Sequence, residues 1–142
     1  MSLIFLDASF YMALVSPRDE LNQLAIRWRK VLRGPFITTE FVLLELADGL
    51  AQRQKVDIAM TMIDSLRNDP TVEIVPVDSN WIDRGYSLFR KREDKSWGLT
   101  DCISFCLMKE RGIFEALTYD HHFEQAGFRA ILRHEPPTNG RH

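Results

Sequence analysis

Short apolar runs and longer amphipathic stretches alternate along this chain. Leu3 to Leu6 form an apolar run that stops at Asp7, and a helix-like segment from Ser9 to Val15 follows at once. Such a pattern reads as a buried parallel strand with an acid at its C-terminal end. Ser16-Pro17 breaks the segment, and Leu21, Leu24, Ala25, Trp28, Val31 and Leu32 then recur at helical spacing up to Gly34-Pro35. Phe36-Ile37-Thr38 predicts a second strand, feeding a helix from Thr39 to about Gln54. A further helix spans Val56 to Leu66, and Asn68-Asp69-Pro70 turns the chain into a strand at Val72 to Val75. Asp78 or Ser79 caps a helix running to about Arg92, and Thr100 caps another up to Gly112. Ala116 to Tyr119 reads as a fourth strand and Ala130 to Leu132 as a short edge strand.

Strands alternating with helices predict an α/β fold: a doubly wound, three-layer α/β/α arrangement around a central parallel sheet of four to five short strands. Folds of this kind place their chemistry outside the carboxyl ends of the strands. With 142 residues and no linker or internal repeat, the chain reads as one domain over residues 1–135, followed by a tail from Pro136 to His142 expected to be disordered.

Charge narrows the function classes. Eighteen basic and 20 acidic residues give a net charge of −2, which argues against wrapping duplex nucleic acid by bulk electrostatics. The longest apolar run, Phe10 to Val15, falls far short of the roughly 20 residues that span a bilayer. The N-terminus lacks a basic region and meets Asp7 early, so no secretory signal is expected and a cytoplasmic location is the default. Cys102 and Cys106 match no metal-ligand spacing and read as small buried hydrophobes.

Phosphate-binding glycine loops, nucleophile elbows and HExxH pairs are all absent. What remains is a set of acids where this architecture puts its site. Asp7 follows the first strand, Asp120 follows the fourth, Asp101 opens a helix, and Glu45 lies on the helix after the second strand. Converging carboxylates repel one another and are tolerated mainly where a hard divalent cation neutralises them, so Mg²⁺ or Mn²⁺ is the expected ion. Each acid also has an ordinary reading. Asp7 and Asp120 could be turn residues, and Asp101 gains from the helix dipole whether or not it binds anything. Helical phase sets Glu45 with Asp48 and Gln52 opposite the buried face of Leu43, Leu46, Ala47 and Leu50, as on any solvated helix. The adjacent His121 and His122 read as surface residues rather than ligands.

Four segments together resemble the PIN domain, the metal-dependent nuclease fold found in VapC-type toxins of toxin–antitoxin pairs. Ile4-Phe5-Leu6-Asp7-Ala8-Ser9 is similar to the family's first strand and first acid. Thr38-Thr39-Glu40-Phe41-Val42-Leu43-Leu44-Glu45 is similar to its second motif, with Glu45 as the acid. Trp97-Gly98-Leu99-Thr100-Asp101-Cys102-Ile103-Ser104-Phe105 resembles the third, with Gly98 where a serine is commoner. Thr118-Tyr119-Asp120-His121-His122-Phe123, followed by Gly127-Phe128, resembles the closing motif.

The resemblance implies hydrolysis of RNA phosphodiesters with one or two Mg²⁺ or Mn²⁺ ions held by Asp7, Asp101 and Asp120. Glu45 would orient a water or complete the ligand set, and the cation would acidify water and stabilise charge on the attacked phosphate. It also implies a cognate antitoxin covering the acidic groove, and a homodimer. Arg27, Lys30 and Arg33, or Arg90, Lys91, Arg92 and Lys95, could track the RNA backbone, and Trp97 either stacks on a base or packs. A free-standing RNA-processing nuclease and a non-catalytic binding module of the same fold are the alternatives. A haloacid-dehalogenase-type phosphatase fits poorly, because Ser9 stands where its second Asp belongs. So does a receiver domain, because Leu6 precedes Asp7 and Val75-Pro76-Val77 follows the third strand.

Overall fold

A computed structural model describes residues 2–138. Five parallel strands run in the order β3-β2-β1-β4-β5: β1 (Ile4–Leu6), β2 (Phe36–Thr39), β3 (Val72–Val75), β4 (Glu115–Leu117) and β5 (Arg129–Ala130). Seven helices connect them: α1 (Ala8–Leu14), α2 (Asn22–Val31), α3 (Glu40–Gln52), α4 (Val56–Asn68), α5 (Ser79–Lys91), α6 (Leu99–Glu110) and α7 (His121–Gln125). The sequence expectation of an α/β/α sandwich with four to five strands is met. Both cysteines are free, Cys102 is buried, and no described helix is long and apolar enough to cross a membrane.

Alternation along the strands builds the layers. Phe5, Ile37 and Ala116 point into one core with Val42, Leu46, Phe105, Met108 and Phe123. Ile4, Leu6 and Leu117 point the other way, against Phe10, Ala13, Ala25 and Trp28 of α1 and α2. Most faces of α6 are buried, including Cys102, Ile103, Phe105, Leu107 and Met108, so its first turn is fixed by the packing of the whole helix. Gly85 lets α5 lie close on α6: a Cβ there would collide with Ile103 Cγ1 and stand 3.1 Å from the Ile103 nitrogen.

Three local expectations need correction. Gly98, not Thr100, caps α6. The Gly98 carbonyl accepts the Cys102 N–H at 3.0 Å, and Asp101 Oδ2 reaches back to the Gly98 N–H at 3.4 Å, the half of a capping box that a glycine can make. The fourth strand ends at Leu117 because the Thr118 N–H turns back to the Ala116 carbonyl. The edge strand covers only Arg129–Ala130, after which Ile131–Arg133 coil into a 3₁₀ turn and the Leu132 N–H bonds the Thr118 carbonyl. Helix α7 escapes the sequence reading because five residues are too few for periodicity to show. Of the expected disordered tail, residues 139–142 lie outside those described; just before it, Arg27 pairs with Glu135 at 2.8 Å and Trp28 Nε1 donates to the His134 carbonyl.

Candidate active site

From β1 the sheet order proceeds to β2 and β3 on one side and to β4 and β5 on the other, so the switch point lies between β1 and β4. Ligands of open α/β sheets bind in the crevice at such a point, beyond the carboxyl ends of the strands. Asp7 follows β1 directly and Asp120 lies just beyond β4, at the N-cap of α7. Asp101 sits in the first turn of α6.

Hydroxyls stitch the two strand ends together. Thr118 Oγ1 donates to Asp7 Oδ2 at 2.7 Å, and Ser9 Oγ donates to the same oxygen at 3.0 Å. Thr118 Oγ1 also accepts the Asp120 N–H at 3.0 Å. One buried threonine therefore sets the spacing between the first and fourth acids. Asp120 Oδ1 accepts the His122 N–H at 2.9 Å. A common pattern emerges. The side-chain donors to Asp7 converge on Oδ2, the donor to Asp101 meets Oδ2, and the donor to Asp120 meets Oδ1. Among the described residues, no hydrogen bond reaches Asp101 Oδ1 or Asp120 Oδ2. Asp101 and Asp120 are thus each held by one oxygen and leave the other without a hydrogen bond.

Electrostatics shows that the four acids share one space. Burial is the main force raising the Asp7 carboxyl above the usual range, with Asp120 adding to it and the Thr118 and Ser9 hydroxyls opposing it. Asp101 is pushed up to about 6, first by burial and then by Asp120 and Asp7. Glu45 is pushed up to about 7, first by loss of water around its carboxyl and then by Asp7, Asp101 and Asp120. As a residue Glu45 is nonetheless exposed, so solvent on its open side screens part of that effect. At Glu45 the polar side of α3 borders the other three acids as well as solvent, while Asp48 and Gln52 stay exposed. Helical phase alone could not distinguish the two settings.

His122 departs from its sequence reading. His121 lies on the surface, but the His122 side chain is only 18% exposed. Its Nδ1 is buried without a hydrogen-bond partner, 3.2 Å from Asp120 Oδ1 and 3.5 Å from Asp101 Oδ2. One ligating atom each from Asp120, His121 and His122 lie within 4.8 Å of one another.

Surrounding features settle the other candidates. Trp97 is buried, packs edge-on against Phe105 at 5.0 Å and donates to Gln125 Oε1 at 2.9 Å, so it packs rather than stacks on a base. Arg92 pairs with Asp94 and lies over the Trp97 ring at 5.0 Å, which brings the α5–α6 basic cluster beside the Asp101 helix. In the other cluster, Arg27 is engaged by Glu135 and Arg33 folds onto the carbonyls of Lys30 and Leu32. A cavity of about 380 Å³ between α1, α2 and α4, of mixed lining that includes Phe10, Tyr11, Leu66, Arg29, Ser65 and Asp69, includes none of the four acids.

Fold and site define a class: small α/β proteins that present carboxylates from several elements at the switch point of a parallel sheet. Within that class the chain belongs to the PIN domain family, whose profile matches residues 4–129. It is 25% identical, over 127 residues, to the "23S rRNA-specific endonuclease VapC20" of two Mycobacterium tuberculosis strains, an alignment covering 89% of this chain and 95% of theirs. The crystal structure of M. tuberculosis VapC20, described as a Sarcin-Ricin loop cleaving toxin, superposes with a TM-score of 0.83 at 24% identity, covering 90% of this chain and 98% of that one. FitAcB from Neisseria gonorrhoeae superposes at 0.65 with 18% identity, covering 92% and 99%. A toxin–antitoxin complex from Klebsiella pneumoniae superposes at 0.58 with 14% identity, covering 83% and 87%. Structural likeness at these identities shows the fold.

Proposed function

We propose that this protein is a Mg²⁺- or Mn²⁺-dependent endoribonuclease, the toxin of a toxin–antitoxin pair, with residues 1–135 as its nuclease domain. The observation that carries the reading is the convergence of Asp7, Glu45, Asp101 and Asp120 on one crevice, supported by the upward push that Asp7 and Asp120 exert on both Asp101 and Glu45. The named activity of the VapC20 relatives supports RNA as substrate, and the toxin–antitoxin complex from Klebsiella pneumoniae among the structural neighbours supports an antitoxin partner. The family resemblance implies a homodimer, and a cytoplasmic location is the default expectation from the sequence.

The donor set suits a hard cation: carboxylate oxygens, no thiolate, and one untethered oxygen each on Asp101 and Asp120. Asp7, Asp101 and Asp120 would hold the ion, with Glu45 completing the set. When bound, the ion supplies Lewis-acid stabilisation of the attacked phosphate and a more acidic water. The chain's own part is positional. Thr118 and Ser9 hold Asp7 by Oδ2, Gly98 holds Asp101, and the α7 backbone holds Asp120. Glu45, whose carboxylate accepts no hydrogen bond among the described residues, is free to accept a proton from water at its carboxylate oxygen. Arg92 and its basic neighbours flank the approach.

Asp101→Asn provides the test. Ribosomal RNA incubated with the parent should be cut with Mn²⁺ and left whole with chelator, while the folded variant leaves it whole in both. Cleavage by a well-folded Asp101→Asn overturns the reading. Growth arrest on expression, relieved by coexpressing the product of an adjacent reading frame, distinguishes a toxin from a housekeeping nuclease.

A further inference from the structure

We propose that His122 is a positioning residue that ties Asp101 to Asp120 through Nδ1 and is itself anchored through Nε2 to Ser96; the inference rests on the reading of these acids as a metal site. The imidazole stands where three separate segments meet. Ser96 belongs to the α5–α6 loop, Asp101 to the first turn of α6, and Asp120 to the cap of α7. Nε2 lies 3.3 Å from Ser96 Oγ, a hydroxyl able to donate to it. With Ser96 donating, the ring proton sits on Nδ1, which lies 3.2 Å from Asp120 Oδ1 and 3.5 Å from Asp101 Oδ2, so that a small turn of the ring brings it onto either acid.

Leaving this nitrogen unsatisfied is costly in a buried place, and the acceptors beside it are the two acids. The facing oxygens are also the tethered ones: Asp101 Oδ2 accepts the Gly98 N–H and Asp120 Oδ1 accepts the His122 N–H. The ring thus reinforces the side of each carboxylate that the backbone already holds. It leaves Asp101 Oδ1 and Asp120 Oδ2 without a hydrogen bond among the described residues. Partners of this kind orient ligating carboxylates, and their loss typically costs about 10–100-fold in metal affinity or activity. His122 is not the ligand in this scheme. It keeps two ligands from different helices at a fixed separation.

Amide substitutions separate the two nitrogens. In His122→Asn the side-chain NH₂ falls near the Nδ1 position, whereas in His122→Gln it falls near Nε2; His122→Ala has neither donor. The readout is the Mn²⁺ dissociation constant of the full chain, measured by the electron paramagnetic resonance signal of free Mn²⁺, with melting temperatures in chelator as the fold control. We expect His122→Asn to bind within about threefold of the parent, and His122→Gln and His122→Ala to bind at least about tenfold more weakly. Parent-like binding by His122→Gln overturns the role of Nδ1, and so does an Asn variant as weak as the Ala variant. Nitrogen hyperfine coupling from a directly bound imidazole in the parent overturns it too, by making His122 a ligand. A parent that binds no Mn²⁺ overturns the metal-site reading itself, and the inference with it.

Discussion

Asp101→Asn should make the metal-free protein more stable at neutral pH and the metal-loaded protein less so. The carboxyl stands at about 6 instead of the ordinary 3.8, held up by burial and by Asp120 and Asp7. A folded pKa above the unfolded one means that the stabilising proton is fully bound below about pH 4 and is lost as pH rises through about 6. Two units correspond to on the order of 3 kcal/mol of penalty above pH 7. Against this, a charge in the first turn of α6 gains about 0.3–1 kcal/mol from the helix dipole, which the amide forfeits. The amide oxygen can still accept the Gly98 N–H. Repulsion and burial win, leaving a net gain of roughly 2 kcal/mol, or about 6 °C for a chain of this size. Thermal scans in chelator should show that gain at pH 7.5 and its disappearance near pH 4. Mn²⁺ at about a hundred times Kd adds roughly 2.7 kcal/mol to the parent and less to the variant, so the order inverts. Asp69→Asn serves as the control of opposite sign. Its carboxylate is held low by the Thr71 hydroxyl and N–H, so the substitution lowers stability at neutral pH and leaves the metal response alone. An Asp101→Asn variant that melts below the parent in chelator at pH 7.5, or that shows an equal Mn²⁺ shift, refutes the shared-crevice reasoning.

Glu45→Gln should cut RNA cleavage at least about tenfold, a loss of roughly 1.4 kcal/mol in transition-state stabilisation, while Glu40→Gln, whose Oε1 accepts the Val77 N–H at 2.7 Å, is nearly silent; initial rates of both variants decide it. Thr118→Val removes the donor to Asp7 and the acceptor for the Asp120 N–H together, so denaturant titration should show a loss of about 1–3 kcal/mol, with Mn²⁺ affinity falling as well. Gly85→Ala drives a methyl into Ile103 and should cost about 1–3 kcal/mol by the same titration, loosening the helix that carries Asp101.

The layers, and the positions of Asp7, Asp101 and Asp120 at the ends of their elements, were legible because they follow from local pattern. Apolar triplets closed by an acid, as at Ile4-Phe5-Leu6-Asp7, announce a buried strand and its functional end in adjacent residues. The fixtures of the site were not legible, because they are partnerships across the chain. Ser9 and Thr118 look like any small polar residues until the pairing of β1 with β4 brings them to one carboxylate, 109 positions apart in sequence. His122 misled for the same reason: its neighbours in sequence suggest surface, and its ring is enclosed by groups distant in the chain, Ser96 of the α5–α6 loop and Asp101 of α6. Glu45 shows the limit of periodicity most clearly, since a helix face turned to a crevice and one turned to water share the same 3.6-residue pattern.

Crowding four carboxylates is affordable here because the fold secures three of them independently of any ion. Two hydroxyls hold Asp7, the α6 N-terminus and the Gly98 N–H hold Asp101, and the first turn of α7 holds Asp120. These supports fix position without removing charge, so the repulsion persists and remains available to drive cation binding. Glu45 alone has no such support among the described residues, and burial with its three acidic neighbours pushes it up to about 7, against about 6 for Asp101. A carboxylate that is strained electrostatically but free mechanically is the member of the set best suited to handle a proton, and the other three are best suited to stay still.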